Sequence, residues 1–212
     1  MKSSKNLIEQ LKSLPHFSKK TVHQLGRQLE LRNVSVDTYI SRFLRRKEII
    51  QLKKGLYVAA DFFNKNRGDI SYSFYLANIL RAPSYVSSWT ALQYYNLTTE
   101  SVYTITSITP KVTRTYKTKA GTFTYQSVKK ELFSDFSLAE GTPTSPTGKF
   151  DFFIASPQKA LFDLLYFKTH QFRGVRLNDI NILIEELRIE IEEMNRKDRS
   201  AFYAMIKEII KP

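Results

Sequence analysis

Apolar positions in the first sixty residues recur at helical spacing three times and then switch to strand spacing. LIEQLKSL places Leu7, Ile8, Leu11 and Leu14 along one side of a helix that Pro15 closes. Ser18 stands as an N-cap before KKTVHQLGRQLEL, whose Val22, Leu25 and Leu29 share a side. Ser35 is placed to cap a third helix, VDTYISRFLRRK, with Val36, Ile40, Phe43 and Leu44 in the i, i+4, i+7, i+8 pattern. Asp37 in its first turn suits the helix dipole. IIQL, KKG and LYVA then spell strand, turn and strand, with Gly55 available for a positive φ. Lys47 would point inward if the third helix ran on, so the pattern predicts that the helix ends about there.

Residues 61–70 (DFFNKNRGDI) cluster Asn, Gly and Asp and read as a linker or boundary. Beyond them SYSFYLANIL reads as a helix buried on one side, and Tyr85 and Val86 as the end of a strand. Ser87 or Ser88 then caps a helix through Trp89, Ala91 and Leu92. VYTITSI, VTRTYKT and GTFTYQSV are Thr-, Tyr- and Val-rich alternating runs, expected as strands of an antiparallel sheet, and KFDFFIA is a further strand. Ser156 at a cap position with Pro157 behind it starts ASPQKALFDLLYF as a helix. NDINILIEELRIEIEEM and DRSAFYAMIKEII predict two amphipathic helices at the end, the first with an acidic exposed face. The expected fold class is α+β, with a winged helix-turn-helix over residues 1–66 and a mixed domain over 67–212 that holds an antiparallel sheet and ends in helices.

Composition adds a direction to this picture. The 212 residues, 42% hydrophobic and 13% aromatic, suit a folded protein with a real core. The absence of Cys removes disulfide frameworks, thiol nucleophiles and cysteine-based zinc cages, and a reducing cytoplasm is the expected location. No apolar run approaches the ~20 residues that span a bilayer. The net charge of +13 is unevenly spread. Residues 1–67 carry 15 Lys/Arg against 5 Asp/Glu, whereas residues 177–212 carry 6 against 8. A basic first third on a nearly balanced body points to a polyanionic partner.

Three helices followed by a hairpin is the element order of a winged helix, whose third helix enters the DNA major groove. Advancing 100° per residue puts Thr38, Ser41, Arg42 and Arg45 on the outer face, flanked by Tyr39 and Arg46. Small hydroxyl residues permit close approach, and arginine forks onto guanine edges or phosphate. Lys53 and Lys54 at the hairpin tip are expected on flanking phosphates. A second, weaker candidate face sets Lys111, Arg114, Lys117 and Lys119 among Tyr103, Tyr116, Phe123 and Tyr125; the same lysines equally suit an exposed sheet edge.

Catalytic chemistry is largely withheld. Ser156-Pro-Gln-Lys159 fits the S-x-x-K pattern, but its partner motifs are missing and a helix cap explains the serine. Lys159 and Asp163, four apart on one helix, read as a modest surface pair. His16, His23 and His170 lack metal-ligand spacing, and no glycine loop cradles phosphate. The chain is read as a non-enzyme without metal or cofactor.

Four blocks in order carry a resemblance to a known family. IIQLKKGLYVA leads through a basic turn into Gly-Leu-Tyr; YVSSWTALQYYNL is similar to a Tyr-x-Ser…Ala-Leu…Gly-Leu segment, with Asn96 in the glycine position; GTFTY fits Gly-x-Phe-x-Tyr; and IASPQKALFDLLY fits Ala-x-Pro-Glu-Lys-Ala-Leu-x-Asp-Leu, with Gln158 in the glutamate position. Over residues 5–170 the chain resembles the AbiEi family, the antitoxin and transcriptional-regulator component of type IV toxin–antitoxin systems. The resemblance implies an autorepressor bound to inverted repeats in its operator. It also implies a second domain that counters a nucleotidyltransferase-like toxin, with no stable complex expected between them. The alternatives from the residues themselves are a stand-alone winged-helix regulator and a nucleic-acid-processing enzyme using carboxylates such as Asp151 and Asp163.

Overall fold

A computed structural model describes residues 2–141 and 148–210 of the chain. Helix α1 (Lys2–Leu11) packs Leu7, Ile8 and Leu11 into the core. Strand β1 (Phe17–Ser18) follows, then α2 (Lys19–Gln28), α3 (Asn33–Arg45), β2 (Ile49–Lys53) and β3 (Leu56–Ala59). The three strands form one antiparallel sheet in the order β1-β3-β2, with Phe17 opposite Tyr57 and Ile50 opposite Val58. Ser18 caps α2 in a capping box with Thr21. Helices α2 and α3 meet closely because position 26 is glycine: a Cβ there would stand 2.5 Å from Val36 Cγ2.

Helix α3 begins two residues before the expected Ser35 cap. Arg32 occupies the N-cap without a side-chain hydrogen bond, so Asp37 lies in the second turn rather than the first. At the other end the chain leaves the helix through a Schellman turn, with Glu48 N–H donating to Phe43 O and Lys47 N–H to Leu44 O. Lys47 takes φ +61° at its left-handed position and remains exposed. The expected exit at Lys47 is therefore what the structure shows.

Residues 61–70 are not a linker. Helix α4 (Ala60–Asn66) starts directly from β3 and buries Phe62 and Asn66, while Asn64 and Lys65 face out. Asp69 then caps α5 (Ile70–Leu80). α5 is buried almost all round and lies against the central strands of a six-stranded sheet. The sheet comprises β4 (Tyr85–Val86), β5 (Thr104–Thr109), β6 (Arg114–Thr118), β7 (Gly121–Ser127), β8 (Phe136–Ala139) and β9 (Phe152–Ala155), in the order β6-β7-β5-β4-β9-β8.

The antiparallel expectation for this sheet is corrected to a mixed one. β5 pairs parallel with β7, and β4 pairs parallel with β9. The β6–β7 hairpin docks through β7, its second strand, and that reverses the direction expected of neighbours in a meander. Helices α6 (Ser88–Tyr94), α7 (Pro157–Lys168), α8 (Leu177–Glu186) and α9 (Arg196–Ile209) complete the α+β architecture. α8 stops at Glu186, shorter than its sequence pattern, because Arg188 turns left-handed at φ +52°.

One apolar core runs from the first sheet into the second. Phe62, Tyr72 and Phe150 meet there, with Tyr72 and Phe150 ring centroids 4.7 Å apart. Tyr72 Oη donates to Pro15 O at 2.8 Å, and Tyr75 Oη lies 2.7 Å from His16 Nδ1. Burial holds His16 below the ordinary imidazole range. No helix is long and apolar enough to cross a membrane, among the described residues.

Candidate nucleic-acid interface

Helix α3 shows one face to the core and the opposite face to solvent. Val36, Ile40 and Phe43 are buried. Thr38, Ser41, Arg42, Arg45 and Arg46 are all exposed, and Tyr39 is half-buried with its ring stacked on Phe43. The structure thus brings the six sequence-assigned residues of this helix onto one outer surface and its flank. Among the described residues, none of Arg42, Arg45, Arg46 or Lys54 makes an ion pair. The helix's single acid, Asp37, is answered by Lys19 Nζ at 3.0 Å and His23 Nε2 at 2.8 Å. Lys19, and then His23, hold its carboxyl below the usual carboxylate range. The field of this surface is therefore set by arginines whose charge nothing local cancels.

The two hydroxyls of the outer face are turned back onto the helix. Thr38 Oγ1 donates to Val34 O at 2.9 Å and Ser41 Oγ to Asp37 O at 3.1 Å. They keep lone pairs for accepting but present methyl and methylene carbon outward. On the flank, Ser4 and Lys5 of α1 join Tyr39, Arg42, Phe43 and Arg46 around a cleft of about 190 Å³. Lys5 went unassigned in the sequence because α1 carries no groove-facing pattern of its own; only its packing beside α3 brings it here.

The β2–β3 turn separates the two lysines that the sequence grouped. Gly55 turns the chain at φ +78°, and its carbonyl accepts from Lys19 N–H at 2.8 Å. Lys54 is exposed at the tip. Lys53 is not on that tip surface: half-buried, it donates through Nζ to Leu80 O at 2.6 Å, the end of α5. Its cation binds the first sheet to the rest of the protein, an arrangement that strand alternation alone does not reveal.

The second candidate face is buried only in part: Tyr103, Lys111, Arg114, Lys117 and Lys119 are exposed, and its other aromatics turn inward. Phe123 and Tyr125 are wholly inside, and Tyr125 Oη donates to Ala77 O at 2.6 Å. Tyr116 packs edge-on to Tyr125 with Arg114 above it, while Lys111 Nζ donates to Ala82 O at 2.5 Å. Arg114, Thr115 and Lys117 stay exposed on β6, an edge strand, where cations discourage strand pairing.

Lys159 and Asp163 are a correction: they are not a surface pair. Both are fully buried, with Lys159 Nζ 2.7 Å from Asp163 Oδ1 and 4.7 Å from the Phe162 ring. Asp163 Oδ2 accepts from Ser87 Oγ at 2.7 Å and from Tyr85 Oη at 3.1 Å. Burial pushes the Asp163 carboxyl up, and Lys159, Ser87 and Tyr85 pull against it. Burial likewise drives the Tyr85 phenol far above its ordinary value, with Asp163 adding to the effect. Two of the four sequence blocks therefore meet in one cluster: Tyr85-x-Ser87 at the end of β4 and Lys159…Asp163 along α7.

Ser156 is the N-cap residue of α7 with Pro157 at the first helical position, yet its hydroxyl makes no cap hydrogen bond. Its Oγ is buried without a partner, and Lys159 is held by Asp163, so S-x-x-K does not assemble as a nucleophile with a base. Asp151 is exposed and accepts from Gly141 N–H, well separated in environment from the buried Asp163. A cleft of about 710 Å³ lies between Trp89, residues 100–104, Thr106 and residues 186–188, and shares no residue with the basic surface. No group of three metal-ligating side chains gathers among the described residues. Comparison with protein-family models and with curated proteins finds no match to this chain.

Proposed function

We propose that this protein binds double-stranded DNA through a winged helix formed by residues 1–66 and represses its own operator. The observation that carries the reading is the outer face of α3, where Arg42, Arg45 and Arg46 stand exposed, without ion pairs among the described residues, beside hydroxyl side chains small enough for close approach. The order α1-β1-α2-α3-β2-β3, with its three-stranded sheet, supports the winged-helix reading. Arg45 and Arg42 face the groove with Thr38 and Ser41. Lys5, Tyr39 and Arg46 line the flanking phosphate cleft, and Lys54 reaches the backbone from the hairpin tip.

The antitoxin half of the proposal rests on the resemblance to the AbiEi family. The meeting of Tyr85, Ser87, Lys159 and Asp163 supports it in one respect: blocks far apart in the chain form one buried cluster. In this reading the cluster holds the fold of the second half, and a nucleotidyltransferase-like toxin is the functional partner, without a stable complex.

The test is a mobility shift with the duplex upstream of the gene, run at 50 and 200 mM salt. Lys5, Arg46 and Lys54 on phosphates give a log–log slope of roughly −2.7 per bound chain at about −0.9 each, hence about a 40-fold loss of affinity over that range. Salt-independent binding, or equal affinity for the upstream duplex and an unrelated one, refutes the reading. Growth restored when this chain is co-expressed with a neighbouring nucleotidyltransferase-like toxin supports the antitoxin half; continued arrest leaves a plain regulator.

A further inference from the structure

Val34 is the most exposed residue of its type on α3, with 79% of its surface accessible. Single apolar side chains on a surface are ordinary, but the position of this one is not arbitrary. Counting 100° per residue, Val34, Thr38, Ser41 and Arg45 fall within one narrow stripe directly opposite the buried Val36, Ile40 and Phe43. Sequence reading left Val34 out because it placed the helix start after Ser35; the structure starts the helix at Asn33 and adds Val34 to the stripe. Its neighbour one turn on, Thr38, has its hydroxyl hydrogen donated to Val34 O. The beginning of the stripe is therefore two branched side chains that offer carbon to whatever approaches, and only the far end carries charge.

We propose that this end of α3 reads thymine 5-methyl groups, through Val34 and the Thr38 methyl, so that each half-site carries T at the positions beneath them. The inference rests on the DNA-binding reading above. In the major groove only thymine presents an apolar group, and N-terminal residues of an inserted helix are those that reach base edges. The Thr38 and Ser41 oxygens, already donating, remain acceptors, which suits the adenine or cytosine amino group rather than guanine. Guanine edges fall to Arg45, one turn beyond Ser41 and two beyond Thr38 along the same stripe.

The experiment is a selection of full-length protein against random-sequence duplex DNA. The enriched duplex is then titrated with thymine, and with deoxyuridine, at each enriched T. Loss of one buried methyl at a read position is expected to weaken binding about 3- to 5-fold. Val34→Ala, a substitution on an exposed helix position, should weaken binding to the thymine duplex by a similar factor and shrink the thymine–uracil difference toward none. Enriched duplexes lacking T, or a thymine–uracil difference that survives undiminished in Val34→Ala, overturn the thymine inference while leaving DNA binding intact. Failure to enrich any sequence overturns both.

Discussion

Removing the ammonium of Lys159 strips the one opposite charge from a carboxylate that no water reaches. Lys159→Met keeps the volume of the side chain in place, and leaves Asp163 with only the Ser87 and Tyr85 hydroxyls. Breaking a buried pair on one side costs about 3–5 kcal/mol. A domain's whole stability is about 5–15 kcal/mol, so the variant folds marginally or not at all in warm conditions. With a urea slope near ~2.5 kcal/mol/M, the midpoint should fall by about 1–2 M. Asp163→Asn should cost a similar amount, because it strands the ammonium instead. The double variant Lys159→Met with Asp163→Leu removes both charges and leaves two hydroxyls without their acceptor, each worth about 1–3 kcal/mol. It should therefore lose clearly less than the two single variants together. Urea titrations followed by the emission of Trp89, the chain's single tryptophan and two residues from Ser87, measure all three. A loss below about 1 kcal/mol for Lys159→Met, or strict additivity in the double variant, would show that the pair is not the buried, mutually dependent unit described.

Three further outcomes are expected. Lys54→Ala should flatten the salt slope of DNA binding by about 0.9, whereas Lys53→Ala should leave the slope unchanged and lower the unfolding midpoint, because its Nζ is held by Leu80 O; equal slope changes would return Lys53 to the DNA surface. His16 has its folded-state affinity for protons lowered by burial, so the unfolded chain binds more protons below about pH 6.5. Its contribution is complete above that pH and is lost as pH falls through the folded value; melting temperatures from pH 8 to 5 should decline less steeply in His16→Gln than in the native chain. Gly26→Ala forces a methyl onto Val36 Cγ2 and should destabilise by about 1–2 kcal/mol after the gain in helix propensity, with Val36→Ala in the same chain restoring much of the loss by thermal melting.

The first sixty residues were legible because each helix there buries a single stripe, and such stripes fix both faces of a helix at once. The outer residues Thr38, Ser41, Arg42 and Arg45 follow from that arithmetic alone. Val34 escaped it because the real N-cap, Arg32, makes no side-chain cap and so leaves no mark in the sequence. Residues 61–70 read as a linker or boundary because Asn64, Asn66, Gly68 and Asp69 cluster there, whereas Asn66 is buried in a short helix with Phe62 and Asp69 caps the next one. The buried Lys159–Asp163 pair was invisible because four-residue spacing states adjacency and says nothing about what covers it. Parallel pairing of β5 with β7 was equally hidden, since alternation tells which face a residue takes and not which way its neighbour runs.

The aromatic junction of Phe62, Tyr72, Tyr75 and Phe150, with Lys53 reaching across to Leu80 and Tyr72 to Pro15, has a consequence for how the protein is divided. Cutting the chain at residue 66 would not release a self-contained fragment: it would strip the ring partners from Phe62, free the backbone of Pro15, and open an oily scar on both pieces. Selection acting on either half has to preserve the fit at that seam. The halves are better regarded as one inherited body than as two interchangeable modules, and a graft of the basic helix onto another scaffold should carry its seam with it.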